Sequence, residues 1–386
     1  MPDRPRAERA TQNRVVKLFA DKSYADCLGY DHLGDWSKRE GNRNIEPEYL
    51  SANLKRRGYT EAQISAALRQ LQAAAEISGN TLYDANLKTY GLLRYGADVQ
   101  TSLGEPVRKV HFIEWDPAKA HLNDFALAEE VTLRGGYERR PDIVLYLNGI
   151  AIAVIELKRS SKDKSEGIRQ LISNQEKQFN ESFFSTVQLT LAGNDAQGLF
   201  YGTVGSPEEF YVQWKDEAGL AGGNAGAMLD RPLSQLFDKK QLLDFLYHFV
   251  IFDGGIKKVP RQHQHAGIKA AQARTRKREG GVIWHTQGSG KSILMVLLAK
   301  WLLEDDPDAR ILVITDRDEL DEQITKVLRN AGLDSARVSS RADLVDKLGA
   351  TAPRLLCALI HKFDTTDLIG VPPPTHQRAS VTRSHA

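Results

Sequence analysis

The stretch Pro141-Asp-Ile-Val-Leu-Tyr-Leu-Asn-Gly-Ile-Ala-Ile-Ala-Val-Ile-Glu-Leu-Lys158 constrains the fold more than any other part of this chain. Two apolar runs, 143–147 and 150–157, flank Asn148-Gly149, the strongest short-range signal for a hairpin. Asp142 stands at the outer end of the first run. Glu156 and Lys158, two apart on the second, share a face of their strand. Register decides whether all three meet. A strict two-residue loop sets Asp142 opposite Ile155 and leaves Glu156 on the other face. A three-residue loop with Gly149 in a left-handed bulge position pairs Leu147 with Ala151 and sets Asp142 opposite Glu156. That second register, or a local bulge with the same effect, is expected, because charges closing an apolar run are costly unless they serve a site.

Paired carboxylates of this kind hold Mg²⁺, and the metal activates water for in-line attack on a phosphodiester. A lysine beside them orients that water or steadies the charge that develops on the phosphoryl group. The plainer alternative is an edge hairpin whose end charges are simply solvated. In the helix expected next, over about 167–178, Gln170 is placed to reach the metal site or a DNA backbone, or to sit on a solvated face.

The surroundings are those of an α/β chain. Residues 1 to about 110 read as mainly helical: Pro47 marks a helix start, and Thr60-Glu-Ala-Gln63 is a capping-box pattern followed by Ile64, Leu68 and Leu71. Strand-like runs follow at 107–115, 126–133, 187–192 and 210–214, together with the two hairpin strands, and predict a mixed sheet. Residues 216–232, rich in small residues, read as a linker, and 233–252 as one helical stretch. A second α/β unit is expected from about 257, with strands 282–284, 311–315 and 355–360 and helices 291–304 and 320–331. The Pro-rich tail from about 365 has no buryable pattern and reads as disordered.

Within that second unit, His285-Thr286-Gln287-Gly288-Ser289-Gly290-Lys291-Ser292 lies between an apolar run and a helical one. A loop so placed offers successive backbone N–H groups and a helix N-terminus to phosphates. Lys291 is expected to reach the β- and γ-phosphates of ATP and the Ser292 hydroxyl to ligate Mg²⁺. His285 stands where the strict pattern has Gly. The acids after strand 311–315, namely Asp316, Asp318, Glu319, Asp321 and Glu322, are read as the favourable start of a helix rather than as a second Mg²⁺-holding pair. A small-molecule phosphotransferase would need a metabolite pocket that the sequence does not mark.

Composition excludes several classes. With 52 basic and 50 acidic residues the net charge is +2, so no global polyanion-binding field exists and nucleic-acid contact must be local. Lys257-Lys258 and Arg274–Arg278 are the basic patches available for it, or else solvated surface. Two cysteines, Cys27 and Cys357, far apart, provide neither a disulfide framework nor a zinc site, and a reducing cytoplasm is expected. No run approaches the ~18 apolar residues of a membrane span.

Over about residues 40–365 the chain resembles the restriction and motor (R) subunit of type I restriction–modification enzymes. Arg140-Pro-Asp-Ile-Val to Ile155-Glu-Leu-Lys158 is similar to that family's PD-(D/E)xK nuclease motif, with Asn123-Asp-Phe125 and Tyr201-Gly-Thr203 like its flanking strands. Gln170 matches the first position of a following Gln-xxx-Tyr pattern, and Asn174 stands where Tyr is common. Arg261-Gln-His-Gln264 resembles the adenine-reading segment, which makes Gln264 a cofactor-binding candidate. Residues 284–292 resemble superfamily 2 helicase motif I, and Thr315 to Gln323 resembles motif Ia.

The resemblance implies a nuclease domain with N-terminal helices (1–230), a helical connector (231–265), an incomplete RecA-like ATPase lobe (266–364) and a tail foreign to the family (365–386). It implies Mg²⁺ and ATP as cofactors, with double-stranded DNA and the specificity and methylation subunits as partners. The family's Asp-Glu-Ala-His box and second motor lobe do not occur in this sequence. An N-terminal piece that cleaves DNA but has lost ATP hydrolysis and translocation is therefore expected, the alternative being a catalytically inactive remnant that only binds DNA or partner subunits.

Overall fold

The structure, a computed structural model, describes residues 4–24, 26–102, 104–215, 227–363 and 381–383. It divides into two compact units, one running through residue 250 with 255–259, the other comprising 251–254 and the chain from 260. The expected linker falls largely on residues 216–226 and most of the expected disordered tail on 364–380 and 384–386, outside the described residues.

In the first unit seven strands form one mixed sheet, in the order Asp31–Asp35, Phe125–Glu129, Ile143–Leu147, Ile150–Leu157, Leu189–Asn194, Gly198–Gly202, Val212–Trp214. The first pair is parallel, as are Ile150–Leu157 and Leu189–Asn194, and the other neighbours are antiparallel. Every residue of the two hairpin strands is buried, as continuous apolar runs require at the middle of a two-sided sheet. One face carries Ala126, Val144, Tyr146, Val154, Ala192 and Phe200 against Ile168, Leu171 and Phe184. Residues of opposite parity point the other way, where Phe125 meets Tyr30 and Tyr201 meets Trp214 and Phe245.

Local chemistry explains the elements that carry this sheet. Pro47 occupies the first turn of helix Pro47–Arg56, and Thr60 closes a full capping box on helix Glu61–Ala75. The helix Lys164–Asn174 begins where the Asp163 carboxylate accepts the Ser165 N–H at 2.8 Å. The stretch read as one helix over 233–252 is two, Ala227–Phe237 and Lys239–His248, because Asp238 caps the second by accepting the N–H groups of Lys240 and Gln241. The expected strand 107–115 shrinks to Arg108–Val110.

The second unit has an all-parallel sheet in the order Ala336–Arg337, Leu355–Leu359, Ile311–Thr315, Val381–Arg383. Helix Lys291–Asp305 buries Leu294, Val296, Leu297 and Trp301. Two expectations are corrected here. Residues 282–284 form no strand, and Val282 and Trp284 are 85% and 88% exposed; three apolar residues after Gly280-Gly281 make too short a run to hold a place in a ladder. The tail is not wholly without structure, since Val381–Arg383 pairs with Ile311–Thr315, supplying ladder partners to that strand. No described helix is long and apolar enough to cross a membrane.

Candidate functional site

The hairpin turn is a tight two-residue one. Asn148 and Gly149 both have positive φ, 53° and 81°, so Leu147 pairs with Ile150. A Cβ on Gly149 would stand 2.7 Å from Tyr49 Cβ and 2.9 Å from Leu50 N, so only glycine fits. The Asn148 side chain is buried, accepting from Asp124 N at 2.7 Å and donating to Phe112 O at 2.8 Å. The register then shifts by one: Tyr146 pairs with Ala151 but Leu145 with Ala153, so Ile152 is bulged. At the start of this strand, Ala151 N donates to Asn44 O and Glu46 N donates to Gly149 O, both at 2.8 Å. Past the bulge Ile143 meets Ile155, which puts Asp142 level with Glu156. The expected three-residue loop is thus wrong and the expected register right, reached through the bulge.

Asp142, Glu156 and Lys158 therefore converge. Glu156 is fully buried, and Lys158 Nζ lies 3.6 Å from its Oε2, an ion-pair separation beyond hydrogen-bond reach. Oε2 has no hydrogen-bond partner among the described residues. Asp142 Oδ2 accepts the Leu157 N–H at 2.6 Å. Burial first, and Asp142 second, push the Glu156 carboxyl well above its ordinary range. Burial also raises Asp142, to about 6, against the opposing pull of Lys158 and the Leu157 N–H. Burial alone would lower Lys158, but Glu156, Asp142 and Glu8 outweigh it and hold the ammonium protonated. With Asp142 and Glu156 both ionised, the buried part of the site would hold more negative charge than Lys158 balances, even before Glu8 at its partly exposed edge is counted, and a proton or a cation has to make up the difference.

Other side chains complete the site. From the helix Arg4–Ala20, Glu8 reaches Lys158 Nζ at 3.4 Å, and Gln12 donates to the Asp142 carbonyl at 3.2 Å and to Glu129 at 3.1 Å. Helix was expected in this region, but nothing in the sequence marked Glu8 and Gln12 as site residues, since their spacing of four is that of any solvated face. From the helix Lys164–Asn174, Gly167 allows close approach: a Cβ there would sit 3.4 Å from Lys158 Cγ and 3.7 Å from Glu156 Cβ. The side chain that this helix brings to the carboxylates is Asn174, whose Nδ2 is 3.5 Å from Glu156 Oε1. Among the described residues Gln170 makes no hydrogen bond to Asp142, Glu156 or Lys158. It sits one turn before Asn174, which lies on the same face of the helix.

In the second unit, the loop 285–292 ends at Gly290, whose φ of +79° starts helix Lys291–Asp305. Gln264 is buried and braces the loop: its amide donates to Ser289 O at 2.8 Å and to Gly290 O at 3.1 Å, and its oxygen accepts the Arg261 N–H at 2.7 Å. Its amide is thereby committed to the loop backbone rather than left open for a base. Lys291, exposed, donates to the carbonyls of His285 and Thr286 at 3.1 and 3.2 Å, and Ser292 is partly exposed. The acids read as a helix start do occupy the first turn of helix Asp318–Asn330, where buried Asp321 accepts from Arg337 at 2.5 Å. Lys257, expected in a basic surface patch, is buried and donates to Asn86 and Gln188 at 2.7 and 2.6 Å. Its aliphatic stem is taken into the core and its ammonium replaces water contacts with amide oxygens. Arg274, Arg276, Lys277 and Arg278 stay exposed.

A family model described as type I restriction enzyme R protein N terminus matches residues 10–209, more than half of the chain and the whole hairpin region. The chain belongs to this family. Residues 263–382 of this R-protein relative match a second model, described as SWI2/SNF2 ATPase. The chain is 31% identical, over 82% of its length, to the type I restriction enzyme HindI endonuclease subunit of Haemophilus influenzae. It is 29% identical, over 91% of its length, to a putative type I restriction enzyme MjaIXP endonuclease subunit of Methanocaldococcus jannaschii. It spans about a third of each of these relatives, 32% and 37%.

Proposed function

We propose that the first unit is a Mg²⁺-dependent endonuclease of the PD-(D/E)xK type acting on double-stranded DNA, within a type I restriction complex that includes specificity and methylation subunits. The observation that carries this reading is the bulged register, which brings Asp142, Glu156 and Lys158 together with a buried carboxyl oxygen that has no hydrogen-bond partner among the described residues. The residues fit the metal. Among the described residues no group of three or more His, Cys, Asp or Glu is placed to hold an ion, so a fully protein-coordinated cage is not built here. A pair of carboxylates suits Mg²⁺, which keeps several of its waters.

Asp142 and Glu156 would hold the ion, which when bound supplies a water acidic enough to attack a phosphodiester. Lys158, kept protonated between acidic neighbours, offers its ammonium to the anionic phosphoryl oxygens. The low exposure of Glu156 excludes competing solvent from that side.

For the second unit we infer a RecA-like fragment that takes ATP at 286–292, with Lys291 leaving its two carbonyl partners for the phosphates and Ser292 on the nucleotide's Mg²⁺. The similarity of 263–382 to an ATPase supports this reading.

Nicking of supercoiled plasmid tests the nuclease directly. With Mg²⁺ the chain converts supercoiled DNA to open-circular or linear forms, EDTA stops it, and Asp142→Ala or Lys158→Ala abolishes it while leaving the circular dichroism spectrum unchanged. DNA binding without Mg²⁺-dependent cleavage, or cleavage unchanged in both variants, overturns the proposal.

A further inference from the structure

We propose that Asn174 is the third protein oxygen of the cation site, its side-chain carbonyl acting beside Asp142 and Glu156. This rests on the nuclease reading above and deepens it. Asn174 is fully buried, and so is Glu156. Each keeps one oxygen without a hydrogen-bond partner among the described residues, Oδ1 of Asn174 and Oε2 of Glu156. The two groups touch through their other atoms, Asn174 Nδ2 lying 3.5 Å from Glu156 Oε1. Both orphaned oxygens therefore lie within one amide and one carboxyl width of a single contact.

Leaving a buried acceptor unpaired costs ~1–3 kcal/mol, and native structures rarely tolerate it without a ligand, an ion or a water. Two such acceptors side by side call for something that both can coordinate. An anion is excluded, since both free atoms are acceptors and Asp142 adds a second carboxyl to the same place. A hard divalent cation fits, because amide and carboxylate oxygens are its usual protein ligands.

The amide orientation agrees with this. With Asn174 Nδ2 facing Glu156 Oε1, the amide carbonyl is turned away from that oxygen and left without a hydrogen-bond partner among the described residues. The helix end that carries Asn174 is also fixed: its backbone carbonyl accepts the Asn180 N–H at 3.2 Å, and Gly167 lets the helix lie against Glu156 and Lys158. Asn174 would thus position Glu156 through its nitrogen and ligate through its oxygen.

Mn²⁺ binding to the full chain, without DNA or nucleotide, separates the possibilities by calorimetry or by the loss of free Mn²⁺ paramagnetic resonance signal. Asp142→Ala defines which Mn²⁺ belongs to the hairpin. Asn174→Leu, which keeps the volume and removes both polar atoms, should weaken that ion at least fivefold. Asn174→Asp, which replaces a neutral ligand by a charged one, should tighten it at least fivefold and enlarge the Mn²⁺-induced rise in Tm. Wild-type affinity in Asn174→Leu overturns the proposal. If that variant does not fold, equal or weaker Mn²⁺ binding by Asn174→Asp overturns it equally well. A wild-type chain with no Asp142-dependent Mn²⁺ overturns the nuclease reading itself, and the assignment of Asn174 with it.

Discussion

The hairpin site and the glycine-rich loop are built in opposite ways. At the hairpin the proposed chemistry rests on side chains, and they are buried: Glu156 is wholly enclosed, Asp142 is held by a backbone N–H, and three carboxyls surround Lys158. At the loop, backbone groups carry it and the surface is open, with Lys291 exposed and Gln264 bracing the carbonyls from below. A side-chain site depends on register, so it is only as good as the sheet that fixes it. A backbone site depends on local φ and on a helix start, which a few glycines secure. The first should therefore couple strongly to stability and pH, and the second hardly at all.

The largest break in this comparison comes from Gly149→Ala. Positive φ and a 2.7 Å approach to Tyr49 Cβ leave no room for a side chain, so the first unit should lose ~3 kcal/mol in urea unfolding. A loss below ~1 kcal/mol would show that the turn is not what holds the register.

Next comes the charge at Asp142. Its folded midpoint of about 6 lies above the ordinary 3.8, so the stability it contributes is complete below pH ~4 and lost as pH rises through 6. In metal-free protein, Asp142→Asn should accordingly gain ~2 kcal/mol at pH 8, shrinking toward nothing near pH 4. A gain that does not vary with pH contradicts the shared burial of the two carboxyls.

Sequence reached the hairpin residues because paired apolar runs around Asn-Gly leave few registers, and only one of them unites Asp142 with Glu156. It allowed for a bulge with that effect but could not place it at Ile152, since that depends on how residues 44–46 pair with the strand start, a contact more than a hundred positions away. It chose Gln170 over Asn174 because one helix face carries both, and only packing through Gly167 decides which comes close. It missed Asp31–Asp35, a largely polar edge strand without an alternating signal, and the part that Glu8 and Gln12 of the N-terminal helix play at the site. Trp284 misled it in the other direction, an apolar residue that the fold leaves in solvent.

Smaller effects sharpen the contrast at the loop. Lys291→Ala should weaken ATP binding at least tenfold by calorimetry, while stability moves by no more than ~0.5 kcal/mol, because only two surface carbonyl contacts are lost. A large drop in stability would mean that the loop, like the hairpin, is tied into a core. The smallest change is expected from Trp284→Ser, within ~0.5 kcal/mol, since the ring is 88% exposed. A cost of several kcal/mol would restore residues 282–284 to the interior of a sheet.

The central claim is that the buried pair at the hairpin is a metal-dependent nuclease centre, and Glu156→Gln tests it most directly. The exchange keeps shape and burial and removes only the ability to ionise. The rate of Mg²⁺-dependent plasmid nicking should fall at least a hundredfold while metal-free Tm stays level, because burial already favours the neutral form of the Glu156 carboxyl. Nicking at the wild-type rate in this variant would contradict the account.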